Sequence, residues 1–154
     1  EEKKAINQVH EPAKQAISTQ VPFDLNQADS LQLVRIRGIG PVLANRIMKY
    51  RNALGGFHHL SQLKEVYRLE PEVIAELEQH SFVKVPTRFL KVNSSNGNEL
   101  LKHPYLWGKR KEMTRLINYR QQHGTLTSPE DLYKSKSLDS ATIQRILPYV
   151  DFNP

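Results

Sequence analysis

Apolar positions in this 154-residue chain recur at helical spacing, punctuated by glycine, proline and capping residues. Leu43, Ile47, Tyr50 and Leu54 share one face of a segment opened by Pro41 and closed by Gly55-Gly56, which predicts a helix over 41–54. Ahead of it, Asp29-Ser30-Leu31-Gln32 has the form of an N-cap with a glutamine three residues on, opening a short helix to about Arg35. Ser61 reads as the cap of a third helix through Glu65, and Pro71 opens a fourth to about Gln79. The plan then repeats. Asn96-Gly97-Asn98-Glu99 is a capping-box pattern, and a helix beginning near Lys109 ends at Gly124. Ser128-Pro129-Glu130-Asp131 starts another helix, and Asp139 caps the last, which stops before Pro148. Residues 84–92 contain Pro86 and read as extended. Residues 1–20 are polar, charge-mixed and aperiodic, the composition of a disordered leader or a marginal helix.

The repetition extends to individual residues. Asn45-Arg46-Ile47-Met48-Lys49-Tyr50-Arg51, then Gly55, recurs 69 residues on as Thr114-Arg115-Leu116-Ile117-Asn118-Tyr119-Arg120, then Gly124. The same spacing pairs Phe57 with Leu126, Leu63 with Leu132, Leu69 with Leu138 and Ile74 with Ile143. Asn26 pairs with Asn93 at 67, so the second copy holds about two extra residues near its hairpin. Within the first copy a spacing of 30 relates Leu33 to Leu63, Ile36 to Val66, Ile39 to Leu69 and Pro41 to Pro71. The chain therefore reads as four helix–hairpin–helix units. The expected fold is all-α and SAM-like. After a leader over 1–20 comes a (helix-hairpin-helix)2 domain over 21–83, a linker over 84–92 and a second, partly degenerate domain over 93–154.

One hairpin stands out. In Ile36-Arg37-Gly38-Ile39-Gly40-Pro41, two glycines flank an apolar residue, and proline suits the first helical position. A helix beginning there aims free N–H groups and a positive dipole end at whatever lies outside the hairpin, which suits a phosphate. The candidate backbone contacts are Gly38, Ile39, Gly40 and Val42, with Arg37, Arg46 and Lys49 as flanking cations. A tight helix–helix connection with no ligand is the competing reading.

Charge sharpens the picture. Net charge is +6, and residues 84–154 carry twelve Lys/Arg against six Asp/Glu, whereas 1–20 and 21–83 are balanced, so the whole excess lies in the second half. From Ser30 to Lys64 every charged side chain is basic, while Glu65, Glu70, Glu72, Glu76 and Glu78 cluster on the following unit. In the second copy Lys102, Lys109, Arg110, Lys111, Arg115 and Arg120 face a single nearby acid, Glu112. Such a run is a solvated surface or a sequence-independent attraction for phosphates. Trp107 and Tyr105 either stack on a base or plug their hairpin, and a plug is the expectation, because duplex phosphates need no aromatic platform.

Asn26-Gln27-Ala28-Asp29, Leu33, Gly38-Ile39-Gly40-Pro41, Ala44, Arg46-Ile47, Tyr50-Arg51 and Gly55-Phe57 together resemble the ComEA-type tandem helix-hairpin-helix domain. The resemblance covers roughly residues 23–152. It implies sequence-independent binding of double-stranded DNA, in a family best known from bacterial competence as an extracytoplasmic, membrane-tethered DNA receptor. A start at Glu1 rather than Met implies an upstream segment, and the family would place a membrane anchor there. The second copy departs from the pattern: Trp107, Gly108 and Lys109 stand where Gly38, Ile39 and Gly40 stand in the first. Tyr67-Arg68-Leu69-Glu70 and Lys136-Ser137-Leu138-Asp139 contain no glycine, so one hairpin of four keeps the phosphate-binding form. On this reading the second copy adds undirected attraction through Lys109, Arg110, Lys111 and Arg115.

Other chemistry is weakly represented. The chain has no cysteine, which excludes disulfides and thiolate metal sites, and His58-His59 reads as a surface turn. No cofactor, metal or small-molecule substrate is expected. No acid occurs between Asp29 and Glu65, where a glycosylase of related architecture places its catalytic aspartate, so the expectation is a non-enzyme. The alternatives are a protein-interaction or architectural module, and a non-catalytic domain of a larger DNA-processing protein. On the DNA reading Gly38→Glu should remove binding with the fold retained; on the interaction reading it should change nothing.

Overall fold

The computed structural model describes residues 21–154; the expected leader over 1–20 lies outside them. The described chain is mostly helical: α1 (Ser30–Leu33), α2 (Pro41–Leu54), α3 (Pro71–His80), α4 (Gly97–Leu100), α5 (Arg110–His123), α6 (Pro129–Lys134) and α7 (Ser140–Ile146). Short 3-10 turns cover Leu60–Glu65, Pro104–Leu106 and Leu147–Tyr149. Local signals account for most boundaries. Asp29 and Gln32 close a reciprocal capping box on α1, Asn96 and Glu99 do the same on α4, and α2 runs from its proline to the glycine pair. The third segment differs from expectation. It is 3-10 rather than α, and its cap is His59, whose Nδ1 accepts the Ser61 amide at 3.1 Å. The Gln62 side-chain oxygen takes the amides of His58 and His59 at 2.7 and 2.9 Å, so the His58-His59 turn is held from within the segment.

The all-α expectation also missed four two-residue strands. β1 (Phe23–Asp24) pairs in parallel with β2 (Ser81–Phe82), and β3 (Leu90–Lys91) with β4 (Val150–Asp151). Each pair ties the two ends of one half of the molecule together. Asn26 finishes the first closure: its amide nitrogen donates to Phe57 and Lys84 carbonyls at 2.8 and 3.2 Å, and its oxygen accepts the Phe57 amide at 2.7 Å. Asn93 repeats this with Leu126, Phe152 and the Leu126 amide, each at 2.8 Å. Arg51 donates to the Leu25 and Ala28 carbonyls, and Arg120 to those of Val92 and Ser95. Both arginines are thereby committed to holding the chain entry of their half.

The segment between the halves is anchored. Gly55 sits at φ +90°, and its carbonyl accepts the Thr87 and Arg88 amides at 2.8 and 2.9 Å. A Cβ there would run into the Arg88 carbonyl oxygen, so the close approach requires glycine. The buried apolar residues form one cluster running through both halves, from Leu25, Ile47, Phe57, Leu63 and Leu77 to Leu106, Met113, Leu126, Ile143 and Tyr149. Where the halves meet, the packing turns polar and aromatic. Buried Gln62 donates to the Tyr105 and Tyr149 hydroxyls at 2.7 and 2.8 Å. Glu65 accepts from the Tyr50 and Tyr105 hydroxyls at 2.6 and 2.9 Å and pairs with Arg145 at 3.0 Å. The Arg145 guanidinium lies 3.9 Å over the Tyr105 ring. Burial and the Glu65 carboxylate raise the Tyr50 pKa, burial raises that of Tyr105, and Tyr149 is pushed up to about 12 by burial.

Candidate nucleic-acid interface

The first hairpin is a four-residue turn closed by the Ile39 amide on the Ile36 carbonyl at 3.0 Å. Gly38 takes its third position at φ +87°, a conformation that L side chains rarely adopt. Ile39 is buried, so its side chain locks the turn to the core. Gly40 is extended (φ −91°, ψ 177°) and caps α2 with no side chain, leaving the helix mouth uncovered. Among the described residues, the amides of Gly38, Gly40, Val42 and Leu43 have no acceptor. They provide a set of donors backed by the dipole of a 14-residue helix. Ile39, expected as a phosphate contact, is corrected by this geometry: its amide is spent closing the turn. Leu43 was missed, because its availability follows from an uncapped N-terminus rather than from residue type.

The Gly38→Glu expectation also changes. A Cβ on Gly38 would lie 2.8 Å from Val73 Cγ2 of α3, on top of the positive φ, so substitution there disturbs the fold. Gly40 has a negative φ and open space around its Cβ position, so it accepts a side chain without a clash.

The other three hairpins diverge in ways that chemistry explains. The second is closed by the Leu69 amide on the Val66 carbonyl, with Arg68 at φ +57°, and Glu70 takes the N-cap position of α3 with no side-chain capping hydrogen bond. The fourth helix mouth is filled from within: Asp139 accepts the Thr142 amide at 2.9 Å and its hydroxyl at 2.7 Å. Those hydrogen bonds lower its pKa to about 2, so a carboxylate already occupies the place a phosphate would take. The third turn runs Leu106-Trp107-Gly108-Lys109, closed at 3.1 Å with Gly108 at φ +76°. It spans four residues like the first, but its closing residue Lys109 is also the helix cap, so the connection into α5 is one residue shorter. Lys109, the cap of α5, has ψ 44° where the other three hairpin caps have ψ from 151° to 177°. The third mouth is therefore electropositive but differently shaped.

The side chains expected to add charge fall into two groups. Arg37, Lys49, Arg110 and Lys111 are exposed and make no ion pair among the described residues. Lys109 lies 3.5 Å from Asp139, and Arg115 lies 3.7 Å from Glu112. Arg46 is half-buried, with its guanidinium 5.2 Å over the Tyr67 ring, and Arg68 is at the same distance. Tyr67, on the tip of the second hairpin, thus lies beside the first turns of α2. The two aromatics of the third hairpin separate. Tyr105 is buried in the joint between the halves, whereas Trp107 is 59% exposed and its indole N–H donates to the Lys102 carbonyl at 3.1 Å. The plug expectation fails for Trp107: it takes the second position of its turn, which is exposed in the first and second hairpins as well, at Arg37 and Tyr67.

No group of three or more His, Cys, Asp or Glu among the described residues could hold a metal, and no described helix is long and apolar enough to cross a membrane. Residues 18–81 match the family model described as the helix-hairpin-helix motif. The match contains the Gly38–Gly40 turn, and the motif is commonly nucleic-acid binding. No curated protein and no solved structure matches the chain.

Proposed function

We propose that this protein is a non-enzymatic binder of double-stranded DNA without sequence preference, built as two tandem (helix-hairpin-helix)2 units. The observation that carries the reading is the uncapped α2 mouth: unpaired amides of Gly38, Gly40, Val42 and Leu43 beside exposed Arg37 and Lys49. A backbone phosphate satisfies several donors at once and meets the helix dipole with the right sign. Lys109, Arg110, Lys111 and Arg115 in the second unit add attraction with little direction. The ComEA-like residues of the first unit support a role in DNA uptake at the cell surface.

Gly40→Asp tests this directly. The carboxylate would cap α2 as Asp139 caps α7, so the fold is retained or stabilised by about a few tenths of a kcal/mol, while the phosphate position is filled with negative charge. Thermal melting should show an unchanged or raised Tm, and anisotropy titration of a random duplex should show at least about a tenfold loss of affinity. With about four to six phosphates engaged, log K should fall against log salt with a slope of roughly −4 to −5 in the wild type. Unchanged duplex affinity in Gly40→Asp would reject the cradle and favour the protein-interaction reading.

A further inference from the structure

Resting on the duplex reading, we infer that the Trp107 tip is a stacking platform for an unpaired base, making the second half a site for single-stranded DNA adjoining the bound duplex. Large apolar side chains leave water readily, yet the Trp107 indole in its hairpin turn is 59% exposed and keeps most of its surface in water. Its position is nonetheless set. The Nε1–H bond to the Lys102 carbonyl at 3.1 Å orients the ring, and the turn backbone is closed by Lys109. An oriented, uncovered aromatic is the element that duplex binding does not need and single-strand binding does, because every base presents a π-face.

The surrounding charge fits a phosphodiester chain. Exposed Lys102 precedes the tip and exposed Arg110 and Lys111 follow it. The acids nearby are accounted for: Asp139 pairs with Lys109 and caps α7, and Glu112 pairs with Arg115. The third turn has also lost the extended cap that opens the α2 mouth, so its means of holding DNA differ from those of the first. A second exposed aromatic stands on the tip of the second hairpin. Tyr67 is 67% exposed between Arg46 and Arg68, and it stands two residues beyond Glu65, as Trp107 stands two beyond Tyr105. Glu65 and Tyr105 are hydrogen-bonded to each other at 2.9 Å. The segments leading into the second and third hairpins are therefore in contact, which puts a basic surface with an exposed aromatic at the tip of each hairpin.

Trp107 is the only tryptophan in the chain, so its emission reports stacking in the unmodified protein. Titration with oligothymidylate, and with a duplex carrying a single-stranded tail, should quench that emission, whereas a blunt duplex should leave it nearly unchanged. In anisotropy titrations, Trp107→Ala should weaken oligothymidylate binding by about tenfold or more and change blunt-duplex binding by less than about twofold, with Trp107→Phe close to wild type. Constant emission with oligothymidylate at low salt, or equal single-strand affinity in Trp107→Ala, overturns the inference. The two readings fail separately. Duplex binding unaffected by Gly40→Asp removes the cradle, while quenching by oligothymidylate in that same variant still carries the stacking site.

Discussion

Arg51 and Lys49 lie two residues apart on α2 and have the same charge, yet the fold gives them unrelated tasks. Arg51 is half-buried and donates to two backbone carbonyls at 3.1 and 2.6 Å, and burial lowers its pKa. Lys49 is exposed and unpaired among the described residues. Arg51→Gln should therefore cost about 1–3 kcal/mol in urea denaturation, since it strands buried carbonyls. Lys49→Gln should change stability by less than about 0.5 kcal/mol, yet reduce the salt slope of DNA binding by about 1. A charge pattern cannot separate them, because the acceptors of Arg51 come from residues 25 and 28, across the fold. The same limit applied to Arg120, which the sequence placed in a basic run and the structure ties to Val92 and Ser95.

At the scale of elements, helix ends decide which hairpins remain open to a ligand. The capping boxes of α1 and α4 and the Pro-to-Gly span of α2 were legible, because caps are satisfied within a few residues of sequence. The state of each hairpin mouth was only half legible. Asp139 was legible as a cap residue that fills its own mouth, but the missing side-chain cap at Glu70 and the non-extended Lys109 cap depended on backbone and side-chain geometry. Asp139 offers a test of the closed form. Its folded-state pKa lies below the ordinary carboxylate value, so its stabilisation is present above about pH 4 and is lost as pH falls toward about 2. Asp139→Ala should lower the Tm at pH 7, and the gap to wild type should close toward pH 2.

Across the whole molecule, the joint between the halves determines whether the hairpins form one surface. Its members come from four separate elements: Gln62 and Glu65, Tyr105, Arg145 and Tyr149. His103 sits among them, 5.2 Å from the Tyr105 ring and 4.8 Å from that of Tyr149. Its Nδ1 accepts the Tyr105 amide at 3.3 Å, which leaves the proton on Nε2, a buried atom without a hydrogen-bond partner. Burial lowers its pKa to about 4, with Arg88 and Arg145 acting in the same direction and the Leu54 carbonyl opposing in part. Between about pH 6.5 and 4 the unfolded chain binds the proton that the folded chain refuses. Stability should thus fall as pH drops through that window, by at most about 3 kcal/mol. His103→Asn keeps an acceptor for the Tyr105 amide and removes the titration. Denaturation from pH 7 to 4 should show a smaller loss in that variant than in the wild type.

By itself the sequence determined most of the helical segments and their caps, the repeat and the Gly38–Gly40 turn, but not the 3-10 form of Leu60–Glu65 or its His59 cap. Each feature so determined depends on residues close together in the chain or on a spacing that survives duplication. Tertiary structure alone decided which amides stay open, which arginines are committed to carbonyls, and that Gly38 is braced by Val73 while Gly40 is free. It also decided that Tyr105 is buried in a joint while Trp107, two residues on, faces solvent. The reason is physical. A hydrogen-bond donor or an aromatic ring takes its role from what lies opposite it, and in this chain those partners come from segments up to 87 residues away.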